Sequence, residues 1–405
     1  MTLLHRAVLA AAQSGVRDFI LVGDGGAGWE AVTAGLAGDR RVIQRSLRLR
    51  FVPVGGLEEA VNEPRVDRPF WLFRGNLVFD PELPGAVAGA DRGEDEVLQS
   101  AGGLTLCPAA VFPRLAKALQ ARGAVPAAEA ELLDQVRGPA PLRAVDAGPR
   151  FCFEVTDQPS FKKAEQRLLA TARKATDGYI SRNINRRVSL CLTRQFLKTG
   201  IAPSVQSVVT LLIGLASGWF ISRGGYGPAA LGAFLFNFAS IFDGCDGENA
   251  RLTYRTSKFG GFLDIGGDAV IFVLFFVCLP IGLYRETRHP VWAILGSLAL
   301  VSMGLFYAQL VTHMKRTKLG NNIVAIAKDI ETSAGKPGFS NRVDAAASRI
   351  AFIYRRDFFS TAACVIILAG GAKVLMAVLA FFLPVEAVYM FFFSRRRLGP
   401  AQPGS

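Results

Sequence analysis

Asp243, Asp246, Asp264 and Asp268 stand at the edges of two stretches that are otherwise apolar, and they are the residues best able to do chemistry in this chain. A carboxylate buried in lipid costs several kcal/mol unless it is paired or binds a cation, so structure alone is a poor reason for four together. Offsets of three and four residues put each pair on one face of a helix. A basic connection from Tyr254 to Lys258 would reverse the chain between the pairs. At a rise of about 1.5 Å per residue, Asp246 and Asp268 then reach a similar depth of roughly 16 Å from the turn and can face each other. Like charges repel strongly in such a low-dielectric place, and hard divalent cations, which prefer oxygen ligands, remove the repulsion.

Small residues accompany the acids. Gly247, Ala250 and Gly260 let another helix or a flat ligand approach the backbone closely, and Arg251 sets a fork-shaped cation beside the carboxylates. Phosphate is the ligand that uses a metal ion and an arginine together.

The elements that must position these groups are membrane helices. A helix needs roughly 20 apolar residues to cross the hydrocarbon layer. Thr199 to Ser222, Gly224 to Phe242 and Pro290 to Thr312 carry no charged side chain, and Phe259 to Tyr284 carries only Asp264 and Asp268. Phe358 to Ala372 and Val374 to Phe393 read as a tight pair around Lys373, which makes six spans. Basic flanks at 182–198, 251–258, 315–318, 342–356 and 395–397 fall on alternate ends of the spans, so both termini are expected in the cytoplasm, with the protein in the inner membrane. Glu386, inside the last span, reads as a partner for Lys373 or a bundle-facing polar group, with a functional intramembrane carboxylate as the alternative.

Ahead of the first span, 159–198 reads as one basic amphipathic helix. Phe161, Ala164, Leu168, Ala172, Ala175 and Tyr179 recur every three or four residues, with Arg167, Arg173, Arg182, Arg186 and Arg194 among the cations on the other faces. Such a helix can lie in the membrane interface with its cations toward anionic lipid head groups; the alternative is a soluble helix packed on its own domain. Residues 1–158 alternate helical and strand-like segments: Leu3 to Gln13 and Pro113 to Ala121 helical, Phe19 to Val22, Arg50 to Val54 and Trp71 to Phe73 as strands. That alternation predicts a soluble α/β domain, and with no secretory signal at Met1 to Val16 it is expected in the cytosol. Gly23 to Gly28 is Gly-rich without a full phosphate-loop pattern. Residues 398–405 read as a disordered tail.

Composition agrees. The chain has 405 residues and a net charge of +13, with a mean hydropathy of +0.30. Because the basic residues cluster beside apolar spans, they read as cytoplasmic flanks and not as a nucleic-acid surface. The six Cys show no metal-site or disulfide spacing and read as buried thiols.

The spacing of Asp243, Asp246, Gly247, Ala250, Arg251, Gly260, Asp264 and Asp268 resembles the signature of the CDP-alcohol phosphotransferase family, D-x2-D-G-x2-A-R-x8-G-x3-D-x3-D, at every fixed position. The resemblance covers about residues 160–397. It implies a six-helix transmembrane bundle at 199–397, an interfacial helix before it and a homodimer. It also implies Mg or Mn at Asp243, Asp246 and Asp264, with Asp268 helping to hold metal and acting as general base. Gly247, Ala250, Arg251 and Gly260 would then receive the cytidine diphosphate of a CDP-alcohol donor. The reaction implied is transfer of a phosphoalcohol to an acceptor alcohol with release of CMP.

The order of domains looks like the subgroup of bifunctional inositol-phosphate cytidylyltransferase and di-myo-inositol phosphate phosphate synthase, which implies phosphoinositol as the transferred phosphoalcohol. Arg182, Arg186 and Arg355 resemble that subgroup's basic segments and would hold a phosphate on the acceptor. The N-terminal domain departs from the active cytidylyltransferase pattern: the Gly-rich loop ending in Arg is missing, and Asn76 and Thr156 stand where two metal-binding Asp are expected. An inactive nucleotidyltransferase-like domain is therefore expected. Pro203, Ser204 and Ser207 replace the family's Pro-Asn-x-x-Thr but keep hydroxyls. Alternatives are a phosphatidyltransferase using CDP-diacylglycerol in phospholipid synthesis and, more remotely, a cation transporter.

Overall fold

The computed structural model describes residues 2–23, 26–54, 68–91, 93, 95–122, 129–146, 148–172, 185–256, 258–317 and 356–398. They form two units: Met1–Ala172 with Leu252–Tyr254, and Arg173–Arg251 with Arg255–Ser405.

The first unit runs α1 (Leu3–Gln13), β1 (Asp18–Gly23), α2 (Ala27–Ala37), α3 (Arg40–Gln44), β2 (Arg48–Pro53), β3 (Phe70–Leu72), β4 (Leu77–Phe79) and α4 (Leu83–Ala88). It continues with β5 (Val97–Ser100), β6 (Thr105–Cys107), α5 (Phe112–Arg122), α6 (Glu129–Arg137), β7 (Leu142–Val145), β8 (Cys152–Glu154) and α7 (Gln158–Thr171). This is the α/β region that alternation predicts. β1 and β2 pair in parallel, β3-β6-β5-β7 make a mixed four-stranded sheet, and β4 pairs antiparallel with β8. Thr2 starts α1 by accepting the His5 amide at 3.2 Å. Because the helix is apolar nearly all round, it lies inside the unit with Leu36, Leu77, Phe79, Leu83 and Leu98.

Of the basic helix expected over 159–198, α7 and a later helical stretch, Arg186–Thr199, are described, and 173–184 lie outside the described residues. α7 begins at a reciprocal cap, where the Asp157 carboxylate accepts from Ser160 N and the Ser160 hydroxyl accepts from Asp157 N. It buries Ala164 against Val78 and Val155. Arg182 lies outside the described residues, as do 399–405.

The second unit runs α8 (Arg186–Thr199), α9 (Pro203–Ser222), α10 (Tyr226–Thr253), α11 (Lys258–Thr287), α12 (Val291–Thr317), α13 (Arg356–Leu368) and α14 (Ala372–Leu398). Five helices are long and apolar enough to cross a membrane: Pro203–Ser222, Tyr226–Thr253, Phe259–Thr287, Val291–Gln309 and Ala372–Phe392. The six-span expectation is therefore met five times among the described residues. The expected fifth span, 358–372, falls on α13, which is described over 13 residues and is followed by Gly370 at φ +80°; residues 318–355 before it lie outside the described ones. Lys373 pairs with Glu286 at 3.1 Å.

What positions the acids is close helix packing. A Cβ on Gly214 would stand 2.3 Å from Ile271, and one on Gly218 would stand 2.5 Å from Leu274, so only glycine lets α9 approach α11 this closely. Phe236 of α10 stacks on Phe275 of α11 at 4.4 Å, with Phe359 of α13 edge-on to both. Large apolar side chains such as Phe262, Ile294 and Phe381 point outward, as lipid-facing positions do. None of the six Cys is in a disulfide; four are buried, but Cys191 is exposed.

Candidate active site

α10 continues through Asp243 and Asp246 to Thr253, and Tyr254, with φ +58°, leaves the helical conformation before α11 starts at Lys258. The chain comes back with Asp264 beside the first pair. One carboxylate oxygen each from Asp243, Asp246 and Asp264 lie within 4.8 Å of one another. Asp246 is 5% exposed, and the Ser207 hydroxyl of α9 donates to its carboxylate. Ser207 is the hydroxyl that the sequence kept in place of the family's threonine.

Asp268 is not part of that trio. It is ion-paired with Arg356, the first residue of α13, which also donates to Asp243 at 3.1 Å. The resemblance grouped Arg356 with Arg355 in a basic segment that could hold a phosphate on the acceptor, and did not pair it with the carboxylates. The pairing joins residues more than 80 positions apart, and no local spacing encodes it.

The donor set consists of three carboxylates with no His or Cys, which fits a hard cation such as Mg or Mn and does not fit a soft-metal site. One turn along α10, the Arg251 guanidinium passes over Gly247: a Cβ there would stand 3.2 Å from Nη1. Gly247 thus gives the arginine room to lie along the helix beside the acids. Ala250, Arg251 and Gly260 are half-buried, on the last turn of α10 and the first turn of α11.

A second carboxylate centre was missed. Glu248, inside the motif's variable gap, is fully buried and accepts from Arg186 at 2.6 Å, Ser189 at 2.7 Å and Thr193 at 2.7 Å. These three donors share one face of α8, so the pair bolts α8 to the acid-bearing helix. The signal was present in Arg186, Ser189 and Thr193 at offsets of three and four. Arg186, expected at an acceptor phosphate, is therefore held by Glu248; Arg182 and Arg355 lie outside the described residues. Asn249, also in the gap, donates to the Ile201 carbonyl at 2.9 Å and ties α10 to the start of α9.

In the first unit, Asn76 and Thr156 come together at adjoining ends of β4 and β8. Val155 N donates to the Asn76 carbonyl at 3.1 Å, and Thr156 N donates to the Ser160 hydroxyl at 3.1 Å. Neither supplies a carboxylate, and the neighbouring Glu154 is paired with Arg74 at 3.1 Å.

Residues 201–392 match the family model described as CDP-alcohol phosphatidyltransferase. A protein of Thermococcus kodakarensis named bifunctional IPC transferase and DIPP synthase is 34% identical over 149 residues, 36% of this chain and 33% of that protein. Proteins of the same name from Aquifex aeolicus and Archaeoglobus fulgidus are 30% identical over 187 residues and 29% over 159, covering 46% and 39% of this chain and 41% and 31% of those proteins. The matches span about a third to two fifths of the length of these relatives.

Proposed function

With residues 201–392 forming a CDP-alcohol phosphatidyltransferase domain, we propose that this chain is an integral-membrane enzyme that transfers a phosphoalcohol, phosphoinositol in our reading, from a CDP-alcohol to an acceptor alcohol and releases CMP. The observation that carries the proposal is the convergence of the Asp243, Asp246 and Asp264 oxygens within 4.8 Å at the level where two apolar helices meet.

Asp243, Asp246 and Asp264 would hold Mg or Mn, with Ser207 fixing the Asp246 carboxylate from behind. When bound, the cation would neutralise charge on the pyrophosphate oxygens. Gly247, Ala250, Arg251 and Gly260 receive the cytidine diphosphate, Arg251 giving its planar fork to phosphate oxygens. Asp268 accepts the proton of the acceptor hydroxyl as its oxygen bonds to the donor's outer phosphorus. The bond from that phosphorus to the bridging oxygen breaks, and the electron pair leaves with CMP. Cations of the segments around Arg182 and Arg355 orient a phosphate on the acceptor, while Arg186 serves through its buried pair with Glu248. The membrane is the cytoplasmic one, with both termini in the cytoplasm, and the functional unit is a homodimer. The α/β unit is a nucleotidyltransferase-like module that no longer makes the donor, a reading supported by Asn76 and Thr156 at the two metal positions.

The test uses the full chain in nanodiscs with Mn or Mg and an acceptor, supplied in parallel with CDP-inositol, CDP-diacylglycerol, or CTP plus inositol phosphate. CMP should form only with CDP-inositol. Asp268→Asn should lower that rate by about 10²–10⁴-fold at unchanged thermal stability. Consumption of CDP-diacylglycerol alone would move the assignment to a phospholipid synthase, and an unaltered rate in Asp268→Asn would reject that residue as the base.

A further inference from the structure

Two buried arginine–carboxylate pairs among the described residues of the transmembrane unit are built differently. Glu248 is satisfied from three sides by Arg186, Ser189 and Thr193 and stands apart from the aspartate trio, which is how a permanent structural pair is made. Arg356 reaches two carboxylates through one nitrogen, Nη1, while its Nη2 is buried with no hydrogen-bond partner among the described residues. The buried Nη2 leaves part of this guanidinium's donor capacity unused. Asp243 belongs to both arrangements at once, with an oxygen in the trio and an oxygen on Arg356.

We propose that Arg356 is a displaceable internal counter-ion, holding Asp243 and Asp268 until a divalent cation takes over their charge, and that it thereby sets the cation affinity of the site. This inference rests on the metal-binding reading of the trio. A guanidinium and a divalent cation on the same carboxylate repel each other in a low-dielectric place, so each weakens the other's hold on Asp243. In the cation-free protein Arg356 relieves the repulsion among the carboxylates. With the cation bound, its unused Nη2 and the freed Nη1 become available to an anionic ligand such as a phosphate.

Mn binding by the full-length protein in detergent, without nucleotide, tests this by the loss of the free-Mn paramagnetic resonance signal. Arg356→Gln should bind Mn about tenfold more tightly than the wild type, and Arg356→Lys, which keeps the charge, should stay near the wild type. Arg356→Met, apolar and of similar length, is the second neutral variant should the glutamine variant aggregate, and it should tighten binding likewise. Wild-type protein that binds Mn no more weakly than the neutral variants would overturn the counter-ion role and leave the metal reading standing. Failure of the wild type and of every variant to bind Mn would overturn both. Asp246→Asn should abolish the binding seen in all of them.

Discussion

Buried charge is tolerated only where it is answered, and Glu248 is the residue on which that rule bears hardest. It has no solvent exposure and three donors, all from α8. Replacing it by alanine leaves the Arg186 guanidinium buried without its counter-charge, and we expect a loss of about 3–5 kcal/mol, read as a fall in the thermal midpoint in detergent. Removing both charges, as Glu248→Met with Arg186→Met, should cost much less than Glu248→Ala alone; an equal or larger loss would show that the charges are not each other's partner. Each pair of aspartates was legible in the sequence because its offset of three or four along a helix fixes a common face. Their cross-helix partners Ser207 and Arg356, and the donors around Glu248, were not, because a pairing between distant segments depends on how the helices pack, which no single-segment period records.

Among the elements, α9 and α11 govern whether the aspartates meet. α11 carries Asp264 and Asp268 and lies against Gly214 and Gly218 of α9, where there is no room for even a methyl group. Gly214→Leu should push α11 away from α9, destabilise the unit by about 1–3 kcal/mol and lower CMP release more than its effect on stability explains. Wild-type turnover in that variant would contradict the positioning role given to this contact. The helices themselves were readable, since uninterrupted apolar runs define α9, α10, α11, α12 and α14. After α13 the chain passes through Gly370 in the left-handed region, and such a glycine is hard to tell from a packing glycine in sequence. The apolar spacing of α7 suits an interface or a domain surface equally, and its contact with Val78 and Val155 is not written in that spacing.

For the molecule as a whole, the account joins an α/β unit, which lacks carboxylates at Asn76 and Thr156, to a helical unit that collects three of them from two helices. In the proposed reading, phosphoalcohol transfer belongs to the helical unit and the α/β unit does not make the donor. The N-terminal fold class was legible from alternation, whereas its three separate sheets were not, because strands as short as Phe70–Leu72 carry too few residues to define a pairing partner. The central claim is that folding brings Asp243, Asp246 and Asp264 into one cation site. Anomalous diffraction at the manganese edge, from crystals of the full chain grown with Mn and CDP, addresses it directly. The account predicts a peak with oxygens of all three carboxylates about 2.0–2.3 Å away, and a strong manganese peak elsewhere, or none at saturating Mn, would contradict it.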